Sequence, residues 1–151
     1  MSTGAANSFT YPFIPQPDGI PAAGATVEIQ QLDEEGEPTG NWVPISFLLD
    51  TGADTPTLPN SVMNVIGITS FETGVPQQME GVDDKPIQAK QYTLTARFQG
   101  PTPSAPFPLK VTFQPYPDTL LGRLSVWASS GGPVKSIQID PVNQQTTFTL
   151  A

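Results

Sequence analysis

The sequence predicts an all-β domain, and three observations carry that prediction. The chain holds 18 Pro and 13 Gly in 151 residues with only 13% charged, a balance that favours short extended segments and turns over long amphipathic helices. Several runs alternate apolar and polar residues at the strand period, while helical spacing is confined to short stretches. The length and a hydrophobic content of 37% suit one domain with its own core.

Residues 1–24 surround the aromatic run FTYPFIPQP with Ser, Thr, Gly, Ala and Pro and keep no sustained period. They read as an arm ahead of a domain over 25–151. A poorly ordered terminus is the preferred reading; the alternative has Phe9, Tyr11, Phe13 and Ile14 pinning the arm across the domain. ATVEIQQL and WVPISFLLD then read as strands joined by the polar turn DEEGEPTGN, a β-hairpin. The second strand passes from alternation to the continuous apolar run Phe47, Leu48, Leu49, the pattern of a strand buried on both faces. Asp50 is therefore expected at the end of a buried strand.

In PNSVMNVIGI, Asn60 is expected to cap one or two helical turns that Gly67 ends. TSFETGVPQQ and KPIQAKQYTLTARFQG flank MEGVDDK as the arms of a long hairpin. PTPSAP has too many prolines to hold a ladder and is a loop, after which FPLKVTFQPYP is a strand. DTLLG leads into a helix-compatible run from about Arg123 to Ser129, stopped by Gly131, Gly132 and Pro133. VKSIQID and TTFTLA, joined by PVNQQ, close the chain as a second self-paired hairpin.

Composition removes several chemistries. With neither Cys nor His, the chain has no disulfide framework, no Cys nucleophile, no zinc-finger pattern and no Ser-His pair. Acid-base work falls to carboxylates, the few Lys residues and Tyr. A net charge of −8 and the lack of a Lys/Arg cluster argue against nucleic acid. No apolar run approaches the roughly 20 residues of a membrane span, and the start, MSTGAANSFTYPF, has neither a basic nor an apolar signal region, so a cytoplasmic location is expected. Asp33, Glu34, Glu35 and Glu37 crowd one turn without the spacing of a calcium loop, and no metal or cofactor is expected. Trp42 and Trp127 read as core or interface packing rather than as stacking platforms, and Asp118 as a turn residue.

The stretch FLLDTGADTPTLP contains the one candidate for catalysis. A carboxylate at a strand end, followed by a small hydroxyl residue and a Gly, can be held by hydroxyl and backbone N–H donors in a tight turn. The tripeptide Asp-Thr-Gly alone is weak evidence, and an ordinary strand-to-turn residue is the competing reading. A second motif adds to it. LLDTGAD, Leu48 to Asp54, is followed after a hairpin by LLGR, Leu120 to Arg123, and in this order the chain resembles the retroviral-type, or retropepsin-like, aspartic proteases. The similarity covers roughly residues 42 to 130.

The resemblance implies a closed, mostly antiparallel β fold with one short helix, assembled as a homodimer. Asp50 would be the catalytic carboxylate, Thr51 would hydrogen-bond across two active-site loops, and Gly52 would take substrate backbone contacts. Ala53 would sit at the floor of the cleft, and Asp54 would stand with it among the substrate-binding residues. Leu120, Leu121 and Gly122 would support Asp50 from beneath, and Arg123 would pair with Asp54 within the subunit; an exposed Arg at a helix start is the alternative. Met79, Glu80, Gly81, Val82 and Asp83 fall where the family has its flap, although Gly81 is the one Gly there and a solvated acidic turn is the preferred reading of Asp83 and Asp84. Because the mechanism needs two carboxylates and the motif supplies one, the second Asp50 would come from another copy of the chain, and the substrate would be an extended polypeptide. The family interleaves its chain termini between subunits, whereas the closing hairpin here pairs with itself, so TTFTL or the aromatic arm could contribute to the interface. The rivals are a dimeric binding module that kept the fold without useful proteolysis, and an unrelated acidic β-sandwich with a chance motif.

Overall fold

Period-two alternation builds most of the molecule. The computed structural model describes residues 7–68, 75–80 and 86–151. In chain order its strands are β1 (Ser8–Pro12), β2 (Gly24–Leu32), β3 (Pro38–Leu49), β4 (Thr57–Pro59), β5 (Val75–Glu80), β6 (Pro86–Phe98), β7 (Phe107–Gln114), β8 (Leu120–Leu121), β9 (Val134–Asp140) and β10 (Gln145–Leu150). One short helix, α1 (Met63–Ile66), follows a 3-10 turn over Asn60–Val62. The expected hairpins β2–β3, β5–β6 and β9–β10 are all antiparallel pairs.

Seven strands form a sheet in the order β2-β3-β8-β4-β7-β6-β5. A further pairing of β2 with β6, through Val27↔Phe98, Glu28↔Arg97 and Ile29↔Ala96, closes that sheet on itself. Inward positions alternate along each strand, so Val27, Ile29, Phe47, Ala96, Phe98, Leu109 and Val111 fill the interior and are fully buried. The chain therefore has the closed, mostly antiparallel β architecture expected, with parallel pairing at β3–β8 and β4–β7.

The other three strands form a sheet in the order β1-β10-β9. Here the preferred expectation of a poorly ordered arm is corrected. Ser8–Pro12 is a strand paired along β10, from Ser8↔Thr149 to Pro12↔Gln145. Phe9 and Tyr11 lie two residues apart and so share a face, and both are buried. Phe9 stacks on Phe98 at 5.8 Å, and Phe98 in turn contacts Phe148 at 5.3 Å and Phe107 at 5.7 Å. The Tyr11 hydroxyl donates to the Gln99 carbonyl at 2.8 Å. Burial and the nearby Glu28 charge push the Tyr11 phenol pKa far above its ordinary value. This aromatic cluster fastens the three-stranded sheet to the barrel.

Three further expectations change. The helical run from Arg123 to Ser129 is a turn followed by a 3-10 turn over Ala128–Ser130. Ser125 takes a left-handed φ of 61°, and its hydroxyl accepts the Lys110 N–H at 3.0 Å, so β7 draws the segment out of helical geometry. Asn60 does not cap a helix: its Oδ1 is buried without a partner, and Pro59 holds the cap position. Gly67 does end α1, at φ 98°, where a Cβ would fall 1.9 Å from the Leu32 carbonyl oxygen. Finally, Phe47 is buried but Leu48 and Leu49 are only half-buried, Leu49 bordering a surface groove.

The remaining outliers are surface features. Asp33 Oδ1 accepts the N–H groups of Glu35 and Glu37, both at 2.9 Å, as a solvated turn does. Trp42 is half-buried on the barrel exterior beneath Arg97, whose guanidinium carbon lies 4.1 Å from the ring centroid while its Nε pairs with Glu28 at 2.6 Å.

Candidate active site

The end of β3 is held from two sides before the chain turns. The Leu48 N–H donates to the Thr119 carbonyl and the Leu49 N–H to the Ala23 carbonyl, each at 2.9 Å. The Asp50 N–H donates to the Leu121 carbonyl at 3.3 Å. Beyond it the Ala53 N–H closes a turn onto the Asp50 carbonyl at 3.2 Å, and the Gly52 N–H donates to Asp50 Oδ1 at 3.0 Å. A backbone donor thus orients the carboxylate.

Beside this turn runs β8. Leu120 and Leu121 pair in parallel with Leu48 and Leu49, while Leu120 also pairs antiparallel with Thr57 of β4. The two-residue strand therefore lies between the strand that enters the Asp50 turn and the strand that leaves it. Gly122 then crosses directly against the backbone of the turn: a Cβ there would lie 2.6 Å from the Thr55 carbonyl carbon and 2.8 Å from its oxygen. The Arg123 N–H donates to the Ala53 carbonyl at 3.1 Å and the Leu124 N–H to the Asp54 carbonyl at 2.6 Å. The Arg123 guanidinium pairs with the Asp54 carboxylate through Nη2 and Oδ1. Backbone bonds and ion pair together tie the segment after β8 to the Asp50 turn.

The fold thus brings together Asp50, Thr51, Gly52, Ala53, Asp54, Leu120, Leu121, Gly122 and Arg123. Thr51 and Gly52 are exposed at the tip of the turn. Gly52 does not have a positive φ, and among the described residues a Cβ there would meet only Asp50 Oδ1, at 3.4 Å. Met79 and Glu80 end β5, opposite Ile87 and Pro86 of β6. Gly81, Val82 and Asp83, the expected flap tip, lie outside the described residues.

A groove of about 400 Å3 borders the turn, lined by Leu49 and Thr51, by Trp127, and by Val134, Ile137 and Ile139 of β9. Among the described residues no group of three or more Asp or Glu could hold a metal ion, and no helix is long and apolar enough to cross a membrane.

Sequence reasoning overlooked Gln114. It is buried to 1% exposure, and its side-chain amide donates to the carbonyls of Tyr116 at 2.9 Å and Asp118 at 3.3 Å, shaping the loop that delivers the chain to β8. Alternation assigns Gln114 to the outward face, and the returning loop is what covers it; no local pattern records that.

Among solved structures, the chain is similar to a retropepsin-like aspartic protease from Rickettsia conorii. The TM-score is 0.55 at 16% sequence identity, over 99% of this chain and 98% of that one. The likeness establishes a retropepsin-like fold. No family model matches the chain, and no curated protein matches it.

Proposed function

We propose that the chain is an aspartic endopeptidase whose active site forms between two copies, each contributing Asp50. The observation that carries this reading is the setting of Asp50: a carboxylate at the end of β3, oriented by the Gly52 N–H and braced by β8 in a retropepsin-like fold. Asp54 is the nearest carboxylate in sequence, and it is already paired with Arg123. The second carboxylate is then the partner's Asp50.

Two carboxylates held close together cannot both ionise easily, so the pair shares one proton. The ionised member takes a proton from a bound water, whose oxygen forms a bond to the scissile carbonyl carbon; the protonated member donates to the carbonyl oxygen. Collapse of the tetrahedral species breaks the C–N bond as a carboxyl proton passes to the departing nitrogen. Thr51 links the two turns, Gly52 and Ala53 lend backbone groups to an extended peptide, and Asp54 with Arg123 fixes the rim of the floor. Leu120, Leu121 and Gly122 hold the turn in place. Met79, Glu80, Gly81, Val82 and Asp83 cover the substrate as a flap and exclude water.

The test is cleavage of a mixed peptide library across roughly pH 3 to 7.5, with Asp50→Asn in parallel. Cleavage by the parent chain, abolished in a variant that keeps its fold and assembly, is the expected result. No cleavage at any pH by a well-formed dimer would instead support a binding module.

A further inference from the structure

We infer that β9 is the strand through which two copies pair, and that the resulting joint continues one β-sheet across both. This inference rests on the two-carboxylate reading above and names the surface that reading requires.

The first and last strands are already engaged with each other. β10 lies between β1 and β9, with the Leu150 N–H bonded to the Asn7 carbonyl and the Phe13 N–H to the Gln144 carbonyl. It has no edge left to give another chain. The outer edges of this sheet are those of β1 and β9, and of the two only β9 lines the groove beside the Asp50 turn. Leu49 and Thr51 flank Asp50 directly, so any copy that brings its own Asp50 to the first must cover that groove.

The ladder shows which groups β9 offers. The two bonds just named flank the β1–β10 pairing, so even-numbered residues of β10 direct their N–H and C=O toward β1. Gln145, Thr147 and Thr149 therefore bond β9, at Asp140, Gln138 and Ser136. Ile137 and Ile139 are left aiming their backbone groups at the open edge, and a β-bulge at the Thr149/Leu150 step ends the regular alternation before Lys135.

The side chains agree with the backbone. On the face shared by Phe148 and Thr146, both fully buried, Ile137 is half-buried and Ile139 is 47% exposed. The apolar face of the sheet thus runs past the core and, among the described residues, ends uncovered along Ile137–Ile139, beyond the point where Val134 pairs with the Val126–Trp127 segment. Unpaired edges carrying isoleucine invite another strand unless something covers them.

A two-fold axis through Gln138 satisfies both requirements. It sets Ile137 of each copy opposite the partner's Ile139, with both exchanging backbone hydrogen bonds, and gathers four isoleucines beside the two Leu49 side chains. Gln138 falls opposite the partner's Gln138 on the outer face as a non-hydrogen-bonded pair, where Cα atoms stand about 4.5 Å apart.

The chain has no cysteine, so Gln138→Cys in the full chain is a direct test. Mild oxidation should give a disulfide-linked dimer of doubled mass, since that separation suits a disulfide. Val142→Cys, on the exposed β9–β10 turn, should stay uncrosslinked. Ile139→Lys, which the symmetry applies twice, should weaken the dimer on the order of a hundredfold in sedimentation and lose cleavage with it, while Asp50→Asn stays dimeric. A monomeric parent chain, a dimer indifferent to Ile139→Lys, or equal crosslinking by the two cysteine variants would each overturn the inference. A β9-linked dimer that cleaves nothing would uphold it and overturn the protease reading instead.

Discussion

Gly122 holds more of the site than its size suggests, because the contact it makes is with backbone rather than with a side chain that could step aside. A methyl group at this position meets the Thr55 carbonyl at 2.6 to 2.8 Å, so Gly122→Ala must displace either β8 or the Asp50 turn. We expect it to destabilise the fold by roughly 1–3 kcal/mol, measured by urea denaturation, and to reduce cleavage beyond what the lost stability explains. Asp140 offers a second residue-scale test, through pH. Hydrogen bonds from the Asn143 side chain and backbone hold its carboxyl below the usual carboxylate value. A depressed folded-state pKa contributes stability that is present above the unfolded value and lost as pH falls through the folded one. Asn143→Ala should therefore raise the Asp140 pKa toward its ordinary value, as read by NMR titration, and the β9–β10 turn should loosen at a higher pH on acidification. The motif residues themselves were legible in the sequence because Asp-Thr-Gly-Ala-Asp and Leu-Leu-Gly-Arg are contiguous. Gln114 was not, because its partners, Tyr116 and Asp118, matter only once the loop folds back over it.

At the scale of elements, the readable parts were those whose pairing is local. The hairpins β2–β3 and β9–β10 join neighbouring segments across short turns, with Asp33 and Gly36 in the first and Pro141 and Asn143 in the second, so the strand pattern and the turn chemistry point the same way. β1 escaped because five residues ending in Pro give almost no period to detect, and its partner strand lies at the opposite end of the chain. Its stability comes from aromatic packing. Phe9→Ala should cost roughly 3–5 kcal/mol, the range for removing a buried phenyl group, measurable as a fall in the denaturation midpoint; a loss within about 0.5 kcal/mol would show that β1 is dispensable to the barrel. The segment after β8 was misread for the opposite reason. Its composition tolerates a helix, but Ser125, bonded to β7, turns the chain, and the Val134 N–H then docks on the Val126 carbonyl at 2.9 Å. Tertiary contacts overrode a weak local preference.

For the whole molecule, closure of the barrel by β2–β6 gives β2 a partner strand on both sides. The proposed assembly makes apparent stability depend on how much protein is present, since association favours the folded state by mass action. The melting temperature should rise as concentration is raised from about 1 to about 100 μM, and Ile139→Lys should abolish that dependence; a flat profile for the parent chain would count against a dimer. The position of β8 carries a consequence of a different kind. Leu48 and Leu120 sit side by side although about seventy residues separate them along the chain, and contacts that close so long a loop form slowly. β8 can take its place only after β3 and β4 exist to receive it. Pulse-labelled hydrogen exchange should accordingly find the Leu48 amide, bonded to Thr119, protected after the amides of β2–β3, so that the Asp50 turn is completed in the last moments of refolding.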